Sequence, residues 1–571
     1  MSELKEPPTH SQTESYVTIA KRAQQSVLDS IPQIWRISRE AKAAGAKDPR
    51  KGILAARFLT PREFRITNSS ASELLQLIYD GRLSSYEVTY AFCARAAIAH
   101  QLVNCLVDFF PEEALAQARA LDAEFKKTGR LVGCLHGLPI SVKDDHFMKG
   151  KVVTMGYTAW RKNSPCSADS SPVKVMKDAG AIIFARTAMP QTGMALETVS
   201  NLWGRTLNSR NTAFGAGGSS GGDGVLVALG GTSAAPLATD IGGSIRSPAA
   251  FNGIYGMRPT AARIPLAGTA TTVSGNTSIK CSAGPIARSM EDVGLFCKLL
   301  ASHPSLPHDS SAVLGYWDER PHISEKLKIG VWSDDGVVSP HPPVQRALRE
   351  TAAKLQREGN EIVEFSFPFD LWEAALTTWA IYLQTGAKEH KDILKAAGEP
   401  GIAQFLSYLQ IFHARELTVP ELFAHNSTVG MYKAAFQEAW DASEIDCLIC
   451  PSSPMAGVPH DFPVWWGYTS IWNLLDYPSI IMPVKEFVIS PEMDPKIMSY
   501  KPRDNVFDGP NWRLYDPELW KTQPVTVHIV GRPFRDEVLL AHGELIDSTV
   551  NVRKAAPVHN VPKVEREVAR L

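Results

Sequence analysis

The sequence predicts an α/β fold, with helices layered on a large sheet, on three observations. Short apolar runs of strand character alternate with helix-periodic stretches, helix starts carry capping residues, and no disordered linker interrupts the middle of the chain. Alternation of this kind packs helices against the faces of a sheet.

The elements follow in order. Residues 14–60 read as a charged helical leader, broken near Pro32 and Pro61. Ser70-Ala-Ser-Glu73 and Ser84-Ser-Tyr-Glu87 have capping-box form, in which hydroxyl and carboxylate satisfy backbone donors reciprocally. Apolar residues at helical spacing follow each: Leu74, Leu77 and Ile78, then Val88, Phe92 and Ala96. A further helix covers 111–128. Gly137 to Val142 reads as a buried strand ending at Lys143, Val173 to Asp178 as helix, and Ala181 to Ala185 as strand. Lys328 to Trp332, Val344 to Glu358 and Glu361 to Phe365 form a strand, helix, strand series. Asp446 to Pro451 and Val525 to Val530 complete the strands, and 400–440 is helical. The division expected is a helical leader at 1–64, one large domain at 65–550 and a tail at 551–571.

Composition excludes several partners. The chain is 44% hydrophobic and 21% charged, which is ordinary globular usage. Its 59 basic residues balance 60 acidic ones without a basic run, so the electrostatic footprint of a nucleic-acid binder is missing. No uncharged apolar run is long enough to span a bilayer, so no membrane partner is expected. A polar N-terminus without a signal-peptide core, and eight irregularly spaced Cys, predict a reducing, cytoplasmic setting. The closing Ala569-Arg570-Leu571 only loosely imitates a peroxisomal address, and the sequons at Asn68, Asn276 and Asn426 read as chance matches.

The chemistry concentrates at 215–256. Gly217-Gly-Ser219-Ser220-Gly-Gly222 and Asp240-Ile-Gly-Gly-Ser244 place hydroxyls beside unshielded backbone N–H groups. Acyl transfer needs that pairing: a nucleophile, and donors aimed at the developing oxyanion. A phosphate-cradling loop would carry Gly-Lys-Ser/Thr, whereas Asp223 follows here. A flexible linker is disfavoured by the core-like Val225 to Leu229. Gly217 to Gly221 also fits the G-x-S-x-G nucleophile elbow, which wants a strand before Ser219 and a later acid and histidine. Asn211 to Ala216 makes a poor strand, and His303, His308, His460 and His528 lie in undistinguished contexts.

Lys143 ends an apolar strand and precedes Asp144 and Asp145. A lysine in water titrates near ~10.4 and is no base at neutral pH. Desolvation disfavours the ammonium, and a neutral amine so produced takes a proton from a serine. The plainer alternative is a strand-end cation paired with Asp144 or Asp145.

Three segments together, Gly137 to Asp144, Gly217 to Gly222 and Thr239 to Arg246, resemble the amidase signature family. The segments around Ala91–His100, Glu197–Val199, Tyr468–Asn473 and Ile529–Phe534 are similar to fungal acetamidases and general amidases. The resemblance implies an amidase-signature fold, a large mixed, twisted central β-sheet flanked by helices. It implies Lys143 as general base, Ser219 as relay on a cis peptide, and Ser244 as nucleophile carrying the acyl-enzyme. The backbone amides of Ile241, Gly242, Gly243 and Ser244 are the implied oxyanion donors, supported by Ser220, Asp240 and Arg246, with Gly193 at the substrate. The implied reaction is hydrolysis of a small-molecule carboxamide to carboxylate and ammonia or amine, without cofactor or metal, with a homodimer left open. Against the family pattern, the Ala228–Pro236 loop runs long and Gly193-Met194 departs near the acyl pocket, which leaves the substrate undetermined.

The rivals are an amidotransferase A-type subunit releasing ammonia from glutamine, a secondary-metabolite esterase or amidase, a non-catalytic scaffold, and an esterase centred on Ser219. Cys447-Leu-Ile-Cys450 reads as buried packing, because its neighbours are aliphatic. Trp465, Trp466, Tyr468 and Trp472 are core or pocket wall, and their density in a loop-rich segment favours the wall.

Overall fold

The computed structural model describes residues 14–303, 309–313, 317–318 and 321–551. The C-terminal tripeptide and His308 lie outside the described residues.

An eight-stranded mixed sheet forms the centre. Its spatial order is Glu361–Glu364, Lys328–Val331, Cys447–Pro451, Thr526–Val530, Ser479–Pro483, Tyr255–Arg258, Ser282–Ala287 and Ala235–Asp240. The first three pair in parallel and the remainder antiparallel. A smaller sheet, ordered Leu106–Phe109, Ile182–Thr187, Pro139–Lys143, stands beside it. The strands Pro139–Lys143 and Ala235–Asp240 meet through side chains instead of a backbone ladder: Ser233 Oγ donates to the Pro139 carbonyl at 2.6 Å, and His146 Nε2 to that of Leu237 at 2.8 Å.

Every expected strand is present within a residue or two of its predicted bounds, but seven further strands carried no usable pattern. Two of these, Ala235–Asp240 and Ser282–Ala287, are buried along their whole length and built largely from small residues and proline. A strand covered on both faces has no polar alternation to read.

Of the two expected capping boxes, one forms in full and the other in half. Ser84 and Glu87 form the full reciprocal box. Ser70 accepts from the Glu73 N–H at 3.1 Å, but no return bond from Glu73 is made. Asp292 instead takes the N–H groups of Ala71 and Ser72, each at 3.0 Å, and ties this helix to Met290–Ser302. Near the N-terminus, the helix Tyr16–Asp29 buries Ile19, Ala20, Ala23 and Val27 in the same apolar core as the main sheet.

Cys447 and Cys450 are buried free thiols on one strand, as packing predicts. The tryptophan cluster corrects its reading. Trp465, Trp466, Tyr468 and Trp472 are core residues, stacked among Trp379, Tyr408 and Trp332, and none lines the cavity described next.

Candidate active site

Lys143 reaches the site from the C-terminal end of its strand with a side chain that is 0% exposed. Its Nζ lies 2.8 Å from Ser219 Oγ and 2.6 Å from Thr239 Oγ1. Ser219 follows a cis peptide bond from Gly218 and immediately precedes the helix Gly221–Ala228. Ser244 sits on the turn between the strand Ala235–Asp240 and the helix Arg246–Asn252. The two glycine-rich segments are tied directly, the Ser220 N–H donating to the Ser244 carbonyl at 3.1 Å. Lys143, Ser219 and Ser244 line one cavity of about 270 Å³, whose apolar lining includes Met155, Met189, Met194, Ile241 and Ile279. Gly193 also lines it, at φ +73°, a left-handed conformation suited to glycine. A larger cleft of about 630 Å³, between Trp332, Phe367, Trp372 and Arg503, contains none of these residues.

The Ser244 turn is held from beneath. The carboxylate of Asp240 accepts from Gly243 N–H at 2.8 Å, Ile245 N–H at 3.0 Å, two guanidinium nitrogens of Arg246 and the Asn473 amide. Burial alone would raise this carboxyl; Arg246 and those donors hold it far below the usual carboxylate range. Thr469 Oγ1 donates to the Gly242 carbonyl at 2.7 Å, and the Tyr382 hydroxyl to that of Ile241. A Cβ at Gly242 would stand 2.7 Å from the Trp466 ring, so backbone and indole touch at this point.

One expected donor is corrected. The Gly243 N–H is committed to Asp240, so of the four amides only those of Ile241, Gly242 and Ser244 are without a partner among the described residues. The expected supports differ in kind: Asp240 and Arg246 form a buried ion pair at 2.9 Å, whereas Ser220 contributes its backbone and its hydroxyl has no partner.

Lys143 makes the contacts that each reading of its sequence requires. It faces the serine and also lies 3.4 Å from Asp145 Oδ2, while Asp144 turns away to Arg186 at 2.6 Å. Thr239 bridges the pair, its hydroxyl donating to Asp145 Oδ2 at 2.6 Å. Thr239 was visible only as a letter inside the third motif, because its partners come from a strand ninety-odd residues earlier.

The elbow arrangement is not formed. The residues before Ser219 make no strand, and Ser219 Oγ meets lysine. His460 does pair with an acid, Glu197, at 2.8 Å, but its other nitrogen is held by the Thr212 carbonyl at 2.9 Å. His528 is buried beside Trp472.

The family model for amidases matches residues 87–540. The chain is 47% identical over 542 residues to an amidase of Gibberella zeae, covering 93% of this chain and 99% of that one. It is 36% identical over 546 residues to an acetamidase of Emericella nidulans, covering 93% and 97%. A solved fatty acid amide hydrolase superposes with a TM-score of 0.90 at 31% identity, covering 94% of this chain and 95% of that one.

Proposed function

The chain belongs to the amidase signature family, a family of hydrolases that act on amides, and on that premise we propose that it cleaves a small neutral carboxamide through an acyl-enzyme on Ser244. Ser244 Oγ attacks the amide carbonyl as its proton passes to Ser219 and the Ser219 proton passes to Lys143. The carbonyl oxygen, gaining the electron pair of its π bond, rests on the N–H groups of Ile241, Gly242 and Ser244. Lys143 then returns a proton through Ser219 to the leaving nitrogen. Water attacks the ester by the same route and releases the carboxylate.

One observation carries the reading: a fully buried lysine stands 2.8 Å from a serine hydroxyl that shares a cavity with a second serine on an amide-lined turn. The cavity supports the substrate class. Apart from Lys143 and Asp145 no charged side chain among the described residues lines it, and those residues offer no further counter-charge to the α-carboxylate of glutamine. Its volume and methionine-rich wall suit an uncharged aliphatic or aryl acyl group.

The test is turnover of acetamide, benzamide and indoleacetamide, followed by detection of the acid and of ammonia. Wild-type enzyme releases both from at least one of them, and Ser244→Ala lowers kcat by about 10⁴-fold or more, the scale of losing a nucleophile. Lys143→Ala loses most of the activity. Turnover surviving in Ser244→Ala but not in Ser219→Ala would instead make Ser219 the nucleophile.

A further inference from the structure

Asp145 lies in no part of the lysine and serine machinery proposed above, yet it is buried against it. Its side chain is 5% exposed, and its Oδ2 is 3.4 Å from Lys143 Nζ and 2.6 Å from Thr239 Oγ1. Its Oδ1 has no hydrogen-bond partner among the described residues: His146 Nε2 stands 3.8 Å away and is spent on the Leu237 carbonyl. We propose that Asp145 is a positioning residue for Lys143, setting the direction of its hydrogen bonds and stabilising the ammonium that forms as Ser244 attacks. The inference rests on the acyl-enzyme reading and assigns a fourth member to it.

Counting donors and acceptors gives the direction. An ionised carboxylate only accepts, so the Thr239 hydroxyl must donate to Asp145 and can only accept from Lys143. A neutral lysine amine has two hydrogens and one lone pair. The hydrogens have two acceptors on Thr239, its hydroxyl at 2.6 Å and its carbonyl at 3.4 Å. The lone pair is left to Ser219, whose hydroxyl proton is the one to be removed.

The energetics point the same way. While Lys143 is neutral, Asp145 is a buried anion with a single hydroxyl donor to its Oδ2, which is a costly state. Moving the Ser219 proton to Lys143 completes an ion pair at 3.4 Å and relieves that cost. Proton transfer is thereby coupled to bond formation between Ser244 Oγ and the carbonyl carbon. Burial pushes the Asp145 carboxyl up, but the Lys143 charge, His146 and the Thr239 hydrogen bond outweigh it and leave it below its ordinary value. The other groups facing the pair are Asp223 from the helix Gly221–Ala228 and Cys281 beside the strand Ser282–Ala287, with Arg186 behind His146 and Asp240 beyond Cys281.

The carboxylate stands 3.4 Å from the Lys143 nitrogen in the resting enzyme as well as during attack, so its removal is read in the pH profile as well as in the plateau. The experiment is the pH profile of kcat/KM for para-nitrophenyl butyrate and benzamide, in wild type, Asp145→Asn and Asp145→Glu. Asp145→Asn removes the charge and introduces a donor that can reverse the Thr239 hydroxyl. Its plateau falls by about 10²-fold or more, and its acid limb moves about one pH unit or more towards acid. Asp145→Glu keeps the charge and restores the wild-type limb with part of the plateau. A plateau unchanged in Asp145→Asn, or one lowered with its acid limb unmoved, overturns the proposal. Should Asp145→Asn not fold, Thr239→Val and Thr239→Ser decide: the valine loses the plateau and the serine recovers it, and equal activity of the two overturns the hydrogen-bond direction. Ser244→Ala run alongside separates the readings. If it stays active, the acyl-enzyme reading has failed; if it is dead while Asp145→Asn keeps the wild-type profile, only this inference has.

Discussion

At the scale of single residues, the Ser244 turn depends on a charge pair that touches no substrate. Asp240 and Arg246 are both wholly buried, and Arg246 also donates to the Thr469 carbonyl and the Asn473 side chain at 2.8 and 2.6 Å. Removing one member leaves the other charged and unpaired in the interior, which costs about 3–5 kcal/mol. Arg246→Ala is therefore expected to lower the unfolding free energy from urea titration by that amount, and to lose activity along with the turn. Arg246→Lys keeps the charge but not the forked geometry and falls between. Lys143, Ser219 and Ser244 were legible as letters because three motifs occur together. Thr239 and Asp145 were not assigned a function, since their meaning lies in a convergence that spacing does not encode.

At the scale of elements, the helix Gly221–Ala228 carries a buried carboxyl in its first turn. Burial pushes Asp223 up to about 7, against the lowering effects of its Thr187 hydrogen bond and the Lys143 charge. An unfolded chain releases that proton near ~4, so between these values the folded state binds more protons than the unfolded one. Stability then falls as pH rises through that window, and the whole cost is present above it. Asp223→Asn keeps an acceptor for Thr187 and removes the ionisation. It is expected to be more stable than wild type at about pH 8, by on the order of a few kcal/mol, and so to melt higher there, and to match it at about pH 4. Thermal melts at the two pH values check this; an equal gain at both would place the effect in packing. The sequence marked Val225 to Leu229 as core-like without assigning a helix there, and the strands Ala235–Asp240 and Ser282–Ala287 went unseen because complete burial erases the pattern.

For the whole molecule, the α/β class follows from strand–helix alternation, while the family and the mixed sheet it implies follow from the resemblance that three motifs carry. The arrangement of the two sheets does not, because it depends on which edges abut. Cavity shape was equally hidden: the aromatic segment read as a pocket wall lies in the core, and methionines from separate loops line the pocket instead. The abutting edges have a mechanical consequence. Lys143 comes from one sheet and Ser244 from the turn after a strand of the other; one apolar core runs under both, and the hydrogen bonds across the boundary come from side chains in place of a continuous ladder. A ladder must be broken residue by residue, but a boundary of this kind can part at lower free energy than global unfolding. Turnover is accordingly expected to vanish at a lower urea concentration than the loss of far-ultraviolet circular dichroism, and coincident transitions would refute it. The proposed chemistry then straddles a joint without a ladder, and gentle denaturants are expected to act on it as reversible inhibitors.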